Sequence, residues 1–230
     1  MSTAVAEKPI KEASEPLFSK KNRKLLVDPL DDNNPITVQV LGICSALAVT
    51  TQVAPAFTMT MCVIFVMGFA NLAISLMRNI LPGRIRMIVQ LVVIATLVTI
   101  VDQFLKAFAF ELSKELSVFI GLIITNCIVM GRLEAFALAN KPWQSFLDGI
   151  GNGVGYGAIL ILVAAVRELF GSGTLLGFKL LTEDSLVGGF LNSIGYVNNG
   201  VMLTSSAAMF IIGAFIWWQR GRNEALIDVS

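Results

Sequence analysis

From Thr37 onward the chain alternates apolar runs with short polar breaks. Six runs stand out, at about Thr37–Thr50, Ala56–Leu76, Met87–Phe110, Val118–Met130, Gly149–Val166 and Gly200–Trp218. A hydrocarbon core of ~30 Å takes roughly 20 helical residues to cross. Runs one and four are too short for that, and they hold the same position in each half. If all six cross, three crossings separate the halves, so segments 1–3 and 4–6 run in opposite senses. The pattern predicts an all-α polytopic membrane protein with six transmembrane segments, arranged as two inverted three-helix repeats. Segments 1 and 4 are half-helices, the arrangement that places functional sites near a bilayer midplane. The repeats fall at 36–110 and 117–219, flanked by a polar N-terminal tail, 1–35, and a C-terminal tail, 220–230. Phe170–Asn199 is polar and Gly-rich and reads as an outer loop with a surface-lying portion.

Composition agrees with a membrane chain. Hydrophobic residues make up 55% and charged residues 14%, and the mean hydropathy is +0.76, far from soluble averages. A net charge of +1 gives no basis for nucleic-acid binding. The absence of His excludes imidazole ligation of zinc or haem and His general bases. Three cysteines without disulfide-like spacing argue against a stapled secreted fold. The tail lacks the apolar core of a signal peptide, so the N-terminus is expected to stay in the cytoplasm.

Basic residues set the orientation. With the N-terminus inside, the inner pieces hold Lys8, Lys11, Lys20, Lys21, Arg23, Lys24, Arg78, Arg84, Arg86, Arg132, Lys141, Arg220 and Arg222. Only Lys106, Lys114, Arg167 and Lys179 fall outside, which satisfies the positive-inside rule with both termini cytoplasmic. Trp143, Trp217 and Trp218 fall at the same inner boundary, where amphipathic rings settle.

Candidate chemistry centres on two thiols. Cys44 lies seven residues into segment 1 and Cys127 about nine into segment 4, roughly 10–14 Å deep at 1.5 Å per residue. Opposed segments would bring the two sulfurs together near midplane. Two readings stand: a soft-metal pair, or two cysteines packed as small hydrophobes. Cys62 has no counterpart in the other half and reads as packing. Asp102 sits inside segment 3, where an ionised carboxylate is costly; it reads either as part of an ion pathway or as a hydrated residue near the outer end. Arg132 and Glu134 are expected to pair and anchor the re-entrant GRLEAFA stretch, while Arg167 and Glu168 are expected at the outer interface. Gly149, Gly153 and Gly157, with Gly151 and Gly155, give a bare helix face for close packing. GVGYGA follows no strand and is no dinucleotide loop, and no P-loop is present.

The stretches NNPITVQVLGICSALAVTT, Arg78 through VDQFLKAFAF, LSVFIGLIITNCIVMGRLEAFA, and SFLDGIGNGVGYG with VRELFGSGTLLG resemble one family. It is the membrane family shared by the NqrD and NqrE subunits of bacterial Na+-translocating NADH:quinone oxidoreductase and by the Rnf subunits. The likeness runs from Asn33 to Trp218. Rnf relatives usually carry Pro after the first cysteine, whereas this chain has Ser45, so it is more similar to the NqrD branch. The resemblance implies that Cys44 and Cys127 bind an intramembrane iron centre shared with a homologous, NqrE-like partner. Iron–sulfur clusters of the [2Fe-2S] type usually take four Cys ligands, so two thiols need two more from that partner. Ser45, Thr125 and Asn126 become candidates for tuning such a centre, with Asp102 a candidate on an ion path. The resemblance further implies a subunit of a redox-driven sodium pump that relays electrons between flavins and has no activity alone. NADH, flavins and ubiquinone are then expected on other subunits; TSSAAM lacks the Ser-x-x-Thr flavinylation pattern. Two alternatives remain at this point: an Rnf-type ferredoxin:NAD+ oxidoreductase subunit, and a secondary transporter built on inverted repeats.

Overall fold

The computed structural model describes Leu26, Pro29 and residues 34–80, 82–83, 85–108, 121–172, 174–175, 178–179 and 200–222. A compact turn over 34–42 leads into the short helix α1 (Ile43–Val49), followed by the long helices α2 (Val53–Met77) and α3 (Arg86–Phe108). The second half repeats the plan. A helical turn at 121–124 breaks at Thr125–Asn126, and α4 (Cys127–Arg132) runs into a π-helical turn (Leu133–Ala137). Then come α5 (Pro142–Ser172), a two-residue antiparallel ladder of β1 (Thr174–Leu175) with β2 (Phe178–Lys179), a 3-10 turn (Gly200–Leu203) and α6 (Ser205–Arg222). Among the described residues, three helices are long and apolar enough to cross a membrane: Val53–Met77, Arg86–Ala107 and Pro142–Gly171. The helix α6 forms where the sixth segment was expected but is not among them, since its last turn carries Arg220 and Arg222. Most of the expected outer loop, and residues 109–120, lie outside the described residues.

The core is the pair α2–α5, which forms the most extensive helix interface among the described residues. A Cβ on Gly149 would meet Met67 O at 2.9 Å, one on Gly153 would meet Ile64 Cα at 3.1 Å, and one on Gly157 would overlap the Thr60 methyl. Contacts thus descend α2 as they climb α5, so the helices are antiparallel, as the inverted plan requires. The same register continues in hydrogen bonds from Asn71 Nδ2 to Ser145 O (3.1 Å) and from Ser75 Oγ to Asn140 O (2.7 Å). Small residues let these backbones approach closely, the main source of helix attraction where lipid removes the hydrophobic driving force. The segment α5 is longer than the run Gly149–Val166 anticipated. Pro142 starts it at a position where no N–H is needed, and its polar first turns find protein partners.

The opposite faces are bare. Phe57, Met61, Phe65 and Phe69 form an exposed stripe on α2, joined by Ile88, Val92, Ile100 and Phe104 on α3 and by Met209, Phe210, Trp217 and Trp218 on α6. So much exposed apolar surface suits lipid or neighbouring subunits rather than water. Cys62 is buried in the core, as expected of a packing residue. One boundary shifts. Asn34, drawn from the sequence as tail, is buried and donates from Nδ2 to Gly155 O (3.2 Å), with Pro29 packed against the same glycine. Hydropathy counts Asn34 as polar, but here the bare glycine face of α5 supplies a backbone acceptor for it.

Candidate metal centre at the two short helices

Both cysteines sit in the first turn of a short helix, immediately after a break in the backbone. Before α1 the chain turns through Val40 at φ 56° and Gly42 at φ 80°. The left-handed region costs a non-glycine residue ~1–2 kcal/mol, and such strain concentrates at functional sites. Before α4 the break is capped by Asn126, whose side-chain oxygen accepts from Ile128 N–H at 3.4 Å. The expected half-helices are therefore shorter than the apolar runs. Each thiol stands at a helix start rather than partway down a helix.

The structure brings the two cysteine segments together. Gly42 N–H donates to Cys127 Sγ at 2.9 Å, and Cys44 follows two residues along the same chain. Cys44 is exposed and Cys127 half-buried. Beneath them lies Tyr156, fully buried near the middle of the 31-residue α5. The mid-helix position gives a depth roughly 20 Å from either end at 1.5 Å per residue. Its hydroxyl is 2.7 Å from Ser45 Oγ, and it lies beside Asn126 and within electrostatic reach of both thiols. Ser45 Oγ also bonds Gly42 O at 2.9 Å. Asn126 is buried and its Nδ2 has no hydrogen-bond partner, leaving a spare donor next to Cys127. Thr125 is exposed in the break.

Elsewhere the polar residues sort differently from the sequence expectation. Arg132 and Glu134 do not pair with each other. Arg132 forms a two-pronged ion pair with the buried Asp148, Nε to Oδ2 at 3.0 Å, and lies over the Phe136 ring, 5.3 Å from its centroid. Glu134 instead pairs with Arg86 and accepts from Gln90 Nε2 at 3.1 Å. The helical path from Arg132 through the π-turn separates the neighbours and points each at a different helix. Arg167 and Glu168 lie near the C-terminal end of α5 and are buried against protein. All five guanidinium N–H groups of Arg167 find oxygen acceptors: Thr50 Oγ1 (2.6 Å), Leu203 O (2.8 Å), Thr204 O (3.0 Å), Met202 O (3.2 Å) and Leu47 O (3.4 Å). Glu168 accepts from Val53 N–H at 2.6 Å. The cation thus closes the C-terminal end of α1 and the anion the N-terminal end of α2, each at the favourable end of a helix dipole. Asp102 is paired with Lys106 at 2.5 Å on α3 and is not brought to the thiols.

Sequence reasoning missed Tyr156, Asp148 and the role of Gly42. A hydroxyl and a carboxylate inside one apolar helix each demand a buried partner, and that demand was the available signal.

The family model for the Rnf-Nqr subunit, a membrane protein, matches residues 22–216. The chain belongs to the Rnf-Nqr family. Its relatives include the D-subunit of the Na(+)-translocating NADH-quinone reductase of Psychromonas ingrahamii, 56% identical over 199 residues, covering 86% of this chain and 92% of the relative. The same-named protein of Aeromonas salmonicida is 56% identical over 209 residues, 90% and 96% of the two chains. That of Pasteurella multocida is 57% identical over 199 residues, 86% and 93%. The resemblance drawn from the sequence to the NqrD branch of the Rnf-Nqr family is borne out. Two observations bear on whether iron fits here. The donor set is soft thiol sulfur, already receiving one N–H and with a spare buried amide donor beside it, which suits redox-active iron. Among the described residues, no group of three or more His, Cys, Asp or Glu could hold a metal. Two thiols are half of the four cysteine ligands that a [2Fe-2S] cluster usually takes.

Proposed function

We propose that this chain serves as the NqrD component of a bacterial Na+-translocating NADH-quinone reductase, and that Cys44 and Cys127 give two thiolates to an iron centre shared with a homologous, NqrE-like subunit. The observation that carries this reading is the Cys127 thiol held on Gly42 N–H, two residues from Cys44, over the middle of α5. Iron bound there, as [2Fe-2S] or as a single ion, would supply one-electron transfer, relaying electrons between flavins on neighbouring subunits.

This chain's own residues prepare the thiols. Gly42 N–H donates to Cys127 Sγ and fixes where that sulfur stands relative to Cys44. The buried side chains of Ser45, Asn126 and Tyr156 close the inner side of the pair, and the exposed Cys44 faces outward, where a partner's ligands would approach. NADH, flavin and quinone sites belong on other subunits of the complex. The charge asymmetry supports an inner-membrane location with both termini in the cytoplasm.

The test is iron analysis of the purified complex carrying Cys44→Ser or Cys127→Ser. Either substitution is expected to remove the iron and quinone reduction while the complex still assembles. Cys62→Ser, in the packed core, is expected to leave both intact. Full iron content in both of the first two variants overturns the reading.

A further inference from the structure

We infer that Tyr156 is the positioning residue that couples the two thiols, acting through Ser45 and the Gly42 peptide. The inference rests on the reading of Cys44 and Cys127 as a ligand pair. Ser45 Oγ donates to Gly42 O at 2.9 Å, so the 2.7 Å contact with Tyr156 is donated by the phenol. The ring grips the same residue from another side: a Cβ on Gly42 would lie 2.9 Å from Tyr156 Cε2. Tyr156 therefore holds Gly42 by packing on its Cα and, through one hydroxyl, by its carbonyl.

That peptide is common to both half-sites. Gly42 precedes Cys44 by two residues at the N-cap of α1, and its N–H holds Cys127 Sγ at the start of α4. Displacing Gly42 moves the first cysteine segment and releases the second thiol together. The platform is rigid, because the Gly149, Gly153 and Gly157 face of α5 is locked against α2. A hydroxyl at mid-length of an apolar helix must find a partner, and Tyr156 finds one that orders the thiols rather than a local carbonyl. Asn126, which caps α4, adjoins the same hydroxyl.

Tyr156→Phe separates the two grips, keeping the ring and removing the phenol oxygen. The purified complex would carry Tyr156→Phe, Ser45→Ala or both. After chelation of iron under reducing conditions, alkylation of each cysteine by N-ethylmaleimide is followed by mass spectrometry. Cys127 is expected to react about fivefold faster in Tyr156→Phe, the effect of losing one net hydrogen bond, while the exposed Cys44 changes little. In the iron-loaded complex the paramagnetic signature and midpoint potential are expected to shift with iron content retained. Ser45→Ala should reproduce both effects, and the double variant should add nothing, since the two residues form one chain. Wild-type alkylation and spectra in both single variants overturn the inference, as does simple additivity in the double. The alkylation arm requires no iron, so it judges the coupling even if the cysteine substitutions show the iron reading to be wrong.

Discussion

Replacing Arg167 with Met keeps an unbranched apolar stem and removes all five hydrogen bonds that join the end of α1 to the turn before α6. Interhelical hydrogen bonds within membrane proteins average ~0.6 kcal/mol, so five suggest a loss of about 3 kcal/mol. A second route gives a similar figure. The three shortest, to Thr50, Leu203 and Thr204, are charge-assisted; at a net ~1 kcal/mol each, after the relieved desolvation of the guanidinium, they give about the same total. Arg167→Lys keeps the charge but offers three donors to five acceptors, and should lose about half as much. The measurement is reversible unfolding of the reconstituted chain in mixed micelles with increasing SDS, with Cys44 alkylation as a local reporter of α1. Expected is a ranked loss, Met greater than Lys, with faster Cys44 labelling in both. A Met variant within ~0.5 kcal/mol of wild type, or a Lys variant as damaged as Met, would refute the hydrogen-bond account.

Two further outcomes follow from the packing. Gly157→Ala puts a methyl where the Thr60 methyl already lies and should cost about 1–3 kcal/mol by overpacking; Thr60→Ser, which deletes that methyl but keeps the hydroxyl bond to Ala56 O, should recover most of it in the same unfolding assay. Asp148→Leu strands the partly buried Arg132 and should cost up to about 3 kcal/mol. Adding Arg132→Met should restore most of that loss, and a double variant as unstable as the single would show that the ion pair is not the cause.

Much of the fold was legible because hydropathy is a local sum. Transfer energy of side chains into lipid marks α2, α3 and α5 residue by residue, and the four-residue glycine spacing announces a face made for close contact. The short runs around Cys44 and Cys127 gave the broken helices, and their matching places in two halves gave the inverted plan. The pairing of Arg132 was misread because Glu134 is near it in sequence, while its partner Asp148 is 16 residues away across the π-turn. Arg167 and Glu168 could be placed near the outer end of their segment from the sequence, but not given partners. No local pattern shows that the backbone carbonyls of two distant segments converge on Arg167.

By itself, then, the sequence determined that the chain lies in a membrane, where its helices run, and which two thiols are candidates for a soft metal. Those properties are sums over neighbouring residues. Tertiary structure alone decided that Gly42 holds Cys127, that Tyr156 sits beneath the pair, and that Arg167 and Glu168 close the ends of α1 and α2. A buried polar group must be satisfied, but its partner is fixed only when packing brings remote segments within hydrogen-bond distance.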